Sequence, residues 1–357
     1  MSTDYKRKTG HRPEKIKGRH FMSKRLIVFV AIVLLVATGN VFAGGAAEYP
    51  DRDITTVVVW GAGGGTDTLN RLIMAEMAKE LGVNINVVNV TGGVSGSAGM
   101  NEAFNRPHDG YTLAGLSESN VTAAVMGGFN QRVNVWDWFI VGGSPDLISV
   151  RPDSPFRTIQ DLVNYAKANP GAVKAGAAGA GSIHHLNLLA FENGTETDLN
   201  FIPYDGSAPA QNATLSGEVD LIITSVAEQA QLIRGGELRP LGMLIPTSFT
   251  IETTVVPSAF TAYPALSEFL PLGQSIGFGI AADAPAAAKT AVTEAFQKAM
   301  TSAAVVEYGQ KNFYVMSGLS GQAANSLMAT LESNFAWTLS DLGSAKVSPD
   351  SLGIPRP

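Results

Sequence analysis

The chain of 357 residues contains no cysteine. That single absence removes disulfide staples, thiolate nucleophiles, cysteine metal ligands and a lipid-bearing N-terminal cysteine together. Histidine is scarce as well, since beyond residue 43 only His108, His184 and His185 remain. Adjacent histidines diverge on a helix, whereas metal ligands sharing a helix face stand at i and i+4. No zincin spacing occurs either, so neither a metal nor a cofactor is expected. Basic residues are few where it matters: nine of the 25 Lys+Arg precede Gly44, against two of the 31 Asp+Glu. The chain from Gly44 onward carries 16 basic and 29 acidic residues, a formal balance of −13. Such an acidic body argues against nucleic acid. It also means that an anionic ligand needs a local electropositive site, which free N–H groups at helix N-termini supply without any basic side chain.

Long apolar runs are missing except near the start. Lys24 and Arg25 precede the uncharged, largely apolar run from Leu26 to Ala37, and Val41-Phe42-Ala43 closes the segment with a small residue. This is the pattern of a secretory signal, with cleavage expected after Ala43. The run is shorter than the roughly 18 to 20 residues of a permanent span. The stretch from Met1 to Phe21 is basic and hydrophilic, and Met22 is a possible true start. Residues 1–43 are therefore read as a signal peptide and the remainder as an exported, soluble protein without a lipid anchor. Export without cysteine suits a bacterial periplasm.

About 310 residues remain, enough for two domains. β-branched or apolar runs predict strands at Ile54 to Trp60, Val83 to Val90, Thr112 to Leu116, Phe139 to Val150, Val173 to Ala177, Leu199 to Pro203, Val219 to Thr224, Leu238 to Ile245 and Ser275 to Ala281. Helical spacing appears at Leu69 to Leu81, Thr158 to Ala168, Ile183 to Phe191, Pro209 to Leu215, Ala286 to Ala303 and Gln322 to Leu339. Alternating strands and helices imply an α/β fold with largely parallel sheets. Pro152 and Pro155 precede a fresh βα series, which places a crossing there. Residues 44–151 plus 242–357 are expected to form one lobe and 152–241 the other, with a hinge and a ligand cleft between them.

Three glycine-rich loops stand at strand-to-helix junctions. The first, Gly61-Ala62-Gly63-Gly64-Gly65-Thr66-Asp67, lets the backbone approach a ligand closely, and Thr66 or Asp67 is placed to cap the next helix. It begins like a dinucleotide fingerprint. Thr66 replaces the third glycine, however, and the second strand ends at Asn89 where an acidic ribose partner is expected. A tight turn without a ligand is the plain alternative. The second loop is Thr91 to Gly99, and the third, Gly179-Ala180-Gly181-Ser182, opens a helix. Trp60 either stacks on a ligand at the cleft wall or fills the core beneath it. A serine hydrolase lacks its nucleophile elbow, since Gly93-Val94-Ser95-Gly96 has the wrong spacing. It would need a serine hydroxyl, Ser182 or Ser95, within about 3 Å of His185.

In order along the chain, Tyr49-Pro50, Gly63-Gly64-Gly65-Thr66-Asp67 with Arg71, Asp109-Gly110-Tyr111-Thr112-Leu113, Gly181-Ser182 with His185-Leu186, Pro203 to Ala210, and Leu215 to Asp220 resemble the Bug family. These are the substrate-binding receptors of tripartite tricarboxylate transporters. The resemblance covers essentially the whole chain after residue 43. It implies a two-lobed periplasmic binding protein type II fold, performing no chemistry, that binds a small mono-, di- or tricarboxylate or related acid and delivers it to membrane transporter subunits. A periplasmic sensor with the same cleft is the alternative partner, and a hydrolase the less favoured one. The resemblance also implies a monomer, and a ligand held between the loop Gly63, Gly64, Gly65, Thr66, Asp67 and the loop Gly181, Ser182, with His185 near the second. Ser117 and Ser119 after one strand, and Thr224 and Ser225 after another, join the expected site. Two departures bear on specificity: Val59-Trp60 stands where the family has Pro-Phe, and Asn89-Val90-Thr91-Gly92 where it has Asn-Arg-Pro-Gly.

Overall fold

A computed structural model describes residues 49–357. The expected signal segment, with its start at Met1 or Met22 and its cleavage after Ala43, lies outside the described residues. Among those described, no helix is long and apolar enough to cross a membrane.

The chain opens with β1 (Ile54–Val58), α1 (Gly65–Leu81), β2 (Ile85–Asn89), α2 (Ser97–Phe104), β3 (Thr112–Ser117) and β4 (Trp136–Gly143). It continues through β5 (Asp146–Val150), α3 (Ile159–Ala168), β6 (Lys174–Ala178), α4 (Ile183–Thr195), β7 (Asn200–Tyr204), α5 (Ser207–Ser216), β8 (Leu221–Ser225), α6 (Val226–Arg234) and β9 (Arg239–Met243). A hairpin of β10 (Phe249–Ile251) and β11 (Thr254–Val256) precedes β12 (Ile276–Ala281), α7 (Ala286–Met300), α8 (Ala303–Lys311), β13 (Val315–Ser320) and α9 (Gly321–Asp341).

Two α/β domains result, each built on its own sheet. The larger sheet has the order β13-β4-β12-β3-β1-β2 and the smaller β7-β6-β8-β5-β9. β1 is made of β-branched residues and is buried throughout except at Thr55, as a central strand with covered faces must be. In the smaller domain α3 starts at a reciprocal cap between Thr158 and Asp161 and buries the stripe Ile159, Leu162, Val163 and Ala166. Stacked Phe139 and Phe278, 4.7 Å apart with Phe296 against both, centre the first core. Phe191, Leu162 and Leu221 lie in the second.

The sheets are mixed rather than largely parallel. β1 runs parallel to β2 and β3, and β6 to β7 and β8, but β12, β4 and β13 pair antiparallel, as does β5 with β8 and β9. Two of the reversed strands, β5 and β12, are those on which the chain enters the other sheet. The single strand expected from Phe139 to Val150 is broken by Gly143-Ser144-Pro145, with β4 in one sheet and β5 in the other. Leu241, Leu244, Ala259, Leu266 and Leu270 all pack in the smaller domain's core. The helix expected from Ala286 to Ala303 stops at Met300, and Ser302 caps a second one.

The fold brings helix starts together. The loops after β1, β6, β7 and β8 each lead into a helix, α1, α4, α5 and α6, at the strand ends where open α/β sheets place their ligands. Asn70 fixes one of these starts, donating from its amide nitrogen to Thr66 O (2.8 Å) and to Gly277 O of β12 (2.9 Å). Gly277 sits at a register shift where an added Cβ would collide with the Phe139 carbonyl. Gly277→Ala is therefore expected to cost about 1–3 kcal/mol of stability, read as a lowered urea midpoint; an unchanged midpoint would contradict this packing.

Candidate functional site

The first glycine loop is held by one carboxylate. Asp67 accepts from the Gly63 N–H (2.9 Å), Arg71 Nε (2.9 Å) and Asn89 Nδ2 (2.8 Å). Burial works to raise its pKa, but these donors, led by Arg71, keep it below the usual aspartate value. Asp67 thus pins the turn rather than capping the helix, whose N-cap is Gly64. Gly61 donates to the Asp205 carbonyl of the other domain at 2.7 Å, and a Cβ there would lie 2.8 Å from that oxygen. No other residue fits so close an approach. In the first turn of α1 the Gly65 N–H is taken by Glu228 Oε1 (2.8 Å), whereas the Thr66 N–H has no partner among the described residues. The Ser207 N–H at the start of α5, facing Gly64 across the cleft, is likewise unengaged.

Between these helix starts lies a narrow cavity of about 20 Å³. The larger domain lines it with Trp60, Gly64, Gly65, Thr66, Ser117, Glu118, Ser119 and Gln274, the smaller with Ala178, His184, Gly206, Ser207 and Glu228. The domains meet around it. Ser95 N–H donates to Ala180 O (2.9 Å), Thr122 Oγ1 to Gly181 O (2.6 Å) and Ile183 N–H to Ser119 Oγ (3.0 Å). The cleft is closed in this structure.

One chain of charge runs along the cavity. His184 Nδ1 is 2.7 Å from Asp146 Oδ2, and its Nε2 is 3.5 Å from Glu228 Oε2 and 3.3 Å from Ser207 Oγ. Burial alone would lower the histidine pKa. The carboxylates of Asp146, Glu228 and Glu118 outweigh it and push the group up to about 9. Ser207, His184 and Asp146 have the contacts of a hydrolytic triad, but a raised histidine pKa disfavours the neutral imidazole that a general base needs. Glu118, almost wholly buried, accepts from the Ser275 N–H and the Ser119 hydroxyl, and burial pushes its carboxyl above the ordinary glutamate value. Among the described residues no group of three or more His, Asp or Glu is arranged to hold a metal.

The structure divides the residues named from the sequence. Trp60, Gly64, Gly65, Thr66, Ser117 and Ser119 line the cavity. The Trp60 ring lines the cavity with one part and packs in the core and against Gly179 with the rest. Gly63 and Asp67 build the turn behind the wall. Ser182 is fully buried and caps α4 through the His185 N–H, while Gly181 donates to His185 Nδ1 (3.1 Å). His185 is turned away, stacked on Phe201 at 4.2 Å, and burial lowers its pKa to about 4. Neither Ser182 nor Ser95 is hydrogen-bonded to its ring. Thr224 lies buried under the site, and Ser225 caps α6 through the reciprocal pair with Glu228. His184, Glu118, Ser207, Glu228 and Gln274 were missed. His184 was set aside as half of a poor metal pair, and Glu118 sat unremarked between two named serines.

A closed cleft between two α/β domains, walled by helix N-termini from both, defines a two-domain solute-binding protein. The family model described as tripartite tricarboxylate transporter family receptor matches residues 63–332, and the chain belongs to that family. Protein BugT of Bordetella pertussis is 31% identical over 247 residues, 67% of this chain and 74% of that one. The UPF0065 protein of the tcbD-tcbE intergenic region of Pseudomonas sp. is 31% identical over 223 residues, 60% of this chain and 65% of that one. Among solved structures, periplasmic binding protein BugD matches with a TM-score of 0.74 at 23% identity, over 83% of this chain and 99% of that one. MatC from Rhodopseudomonas palustris with bound malate also matches at 0.74, with 21% identity, over 82% and 100%.

The charged state of His184 makes stability depend on pH with a definite sign. Its folded pKa of about 9 exceeds the ordinary value of 6.5, so its contribution is complete below pH 6.5 and is lost as pH rises through about 9. Urea denaturation at pH 6, 7.5 and 9 should show His184→Gln less stable than the parent at pH 6, with the gap closing towards pH 9. A gap that widens with pH would mean that the buried imidazole is neutral.

Proposed function

We propose that this chain is an exported receptor that encloses a small carboxylate-bearing solute between its two domains and hands it to membrane subunits of a tripartite tricarboxylate-type transporter. The observation that carries the reading is the pair of unengaged amides, Thr66 on one wall and Ser207 on the other, at helix N-termini that meet over the cavity. Backbone N–H groups with the helix dipole behind them bind an anion without a basic side chain, which suits a site that no lysine or arginine lines. Family membership supports the transport role, and the malate bound to the similarly folded MatC is an acid of the expected size.

In this reading the protein performs no chemistry, works in the periplasm after removal of residues 1–43, and acts as a monomer. The smaller domain runs from β5 to about residue 270. The hinge lies in the two strands of chain that join the sheets, 143–145 and 271–275. Capture is then a shift between open and closed arrangements, with the solute's contacts to both walls supplying the difference in free energy.

A thermal-shift panel on the protein from Gly44 onward, with mono-, di- and tricarboxylates and neutral sugars as controls, tests this. Acids at a hundred times their dissociation constant should stabilise by about 2.7 kcal/mol, and sugars should be silent. Gly64 has an ordinary extended backbone (φ −75°, ψ 172°) and faces the cleft. Gly64→Leu should therefore fold normally and lose the acid response. A full response in that variant, or a response to sugars alone, would contradict the site.

A further inference from the structure

We propose that the solute carries an ammonium group beside its carboxylate, and that Glu118 receives the ammonium. The inference rests on the carboxylate-receptor reading and narrows its ligand class.

It comes from counting charges on the walls. The cavity holds one cation, His184, in contact with two carboxylates, Asp146 at 2.7 Å and Glu228 at 3.5 Å, and Glu118 makes a third carboxylate that shares its field. Glu228 is more fully engaged: Oε1 takes the Gly65 N–H, Oε2 takes the Ser225 N–H (3.1 Å) and hydroxyl (2.9 Å), and His184 stands beside it. Glu118 is different. It is 1% exposed and lines the cavity, and it is hydrogen-bonded only to neutral donors, the Ser275 amide and the Ser119 hydroxyl. No lysine or arginine lines the space to balance it. A buried carboxylate with no cation in direct contact is costly, and a positive group brought by the ligand lowers that cost.

The two ends of such a ligand find separate places. Its carboxylate suits the free Thr66 and Ser207 amides, while its ammonium suits Glu118 at the turn after β3. A plain dicarboxylate would instead set a second negative charge in a cavity that already holds Glu118 and Glu228, with its histidine spent. The raised pKa of Glu118 fits this account. Burial pushes its carboxyl above the ordinary glutamate value, and a docked ammonium would draw it back down.

Titration calorimetry on matched pairs tests the inference with named probes: succinate against aspartate, glutarate against glutamate, butyrate against 4-aminobutyrate. At least one amino member should bind tenfold or more tighter than its plain partner. Glu118→Gln, nearly isosteric, should cut that ratio by at least tenfold, mainly by weakening the amino member. Plain acids binding as tightly as their amino partners in every pair would overturn the inference and leave the receptor reading standing. An amino preference untouched by Glu118→Gln would overturn the assignment to this residue. Silence from every probe would overturn the carboxylate reading itself.

Discussion

The two domains are held to one another through a buried chain of charge that ends on a helix. Asp146 stands at the first residue of β5, where the chain enters the smaller sheet. His184 lies in the first turn of α4, Glu228 in the first turn of α6, and Gly65 begins α1 in the larger domain. The run from Asp146 through His184 and Glu228 to the Gly65 amide thus crosses the cleft. A carboxylate this deep is tolerated only when its donors are in place. Glu228 obtains one of those donors only when the domains are together, so the closed form depends on it. The same side chain caps its own helix through Ser225, which couples the local geometry of α6 to the state of the cleft.

That contact also shapes what a ligand meets. The most obvious anion site in the sequence, the start of α1 behind the glycine loop, is partly occupied by the protein's own carboxylate. The unclaimed donors lie one residue further on and across the cleft, at Thr66 and Ser207. In the proposed reading a solute acid completes a ring of helix N-termini of which Glu228 already fills one place. The serines contribute mainly by holding this frame. Ser117 caps the turn after β3, Ser182 caps α4 and Ser225 caps α6. The two adjacent histidines are pushed in opposite directions. The carboxylates of Asp146, Glu228 and Glu118 raise the pKa of His184, while burial against Phe201 lowers that of His185.

Much of the fold was legible. Ile54 to Val58 and Leu221 to Ser225 announce buried strands by β-branching, and Thr158 with Asp161 announces a helix start. The glycine loops marked where the backbone must come close, and the structure places Gly61 against Asp205 and Gly64 in the cleft wall. Illegible features were those set by partners distant in sequence. Gly142-Gly143-Ser144-Pro145 marks a break in Trp136 to Val150, but nothing there says that the chain changes sheets at it, because the strands on both sides are equally apolar. α2 and α6 were not anticipated, being short and lacking a long apolar stripe. Glu118 and Glu228 read as solvated surface residues by type. Only folding shows Glu118 under Ser275 and Glu228 against His184 and Gly65. Adjacent histidines have opposite roles because successive positions on a helix face different surroundings.

Amide hydrogen exchange, resolved residue by residue with and without a stabilising acid, tests the central claim most directly. If the solute lies between the domains on the two helix starts, the amides of Thr66 and Ser207 should slow together on its addition, with the outer strands β2 and β7 unchanged. Slowing at only one of the two amides, or protection confined to a surface remote from the cleft, would contradict capture between the domains.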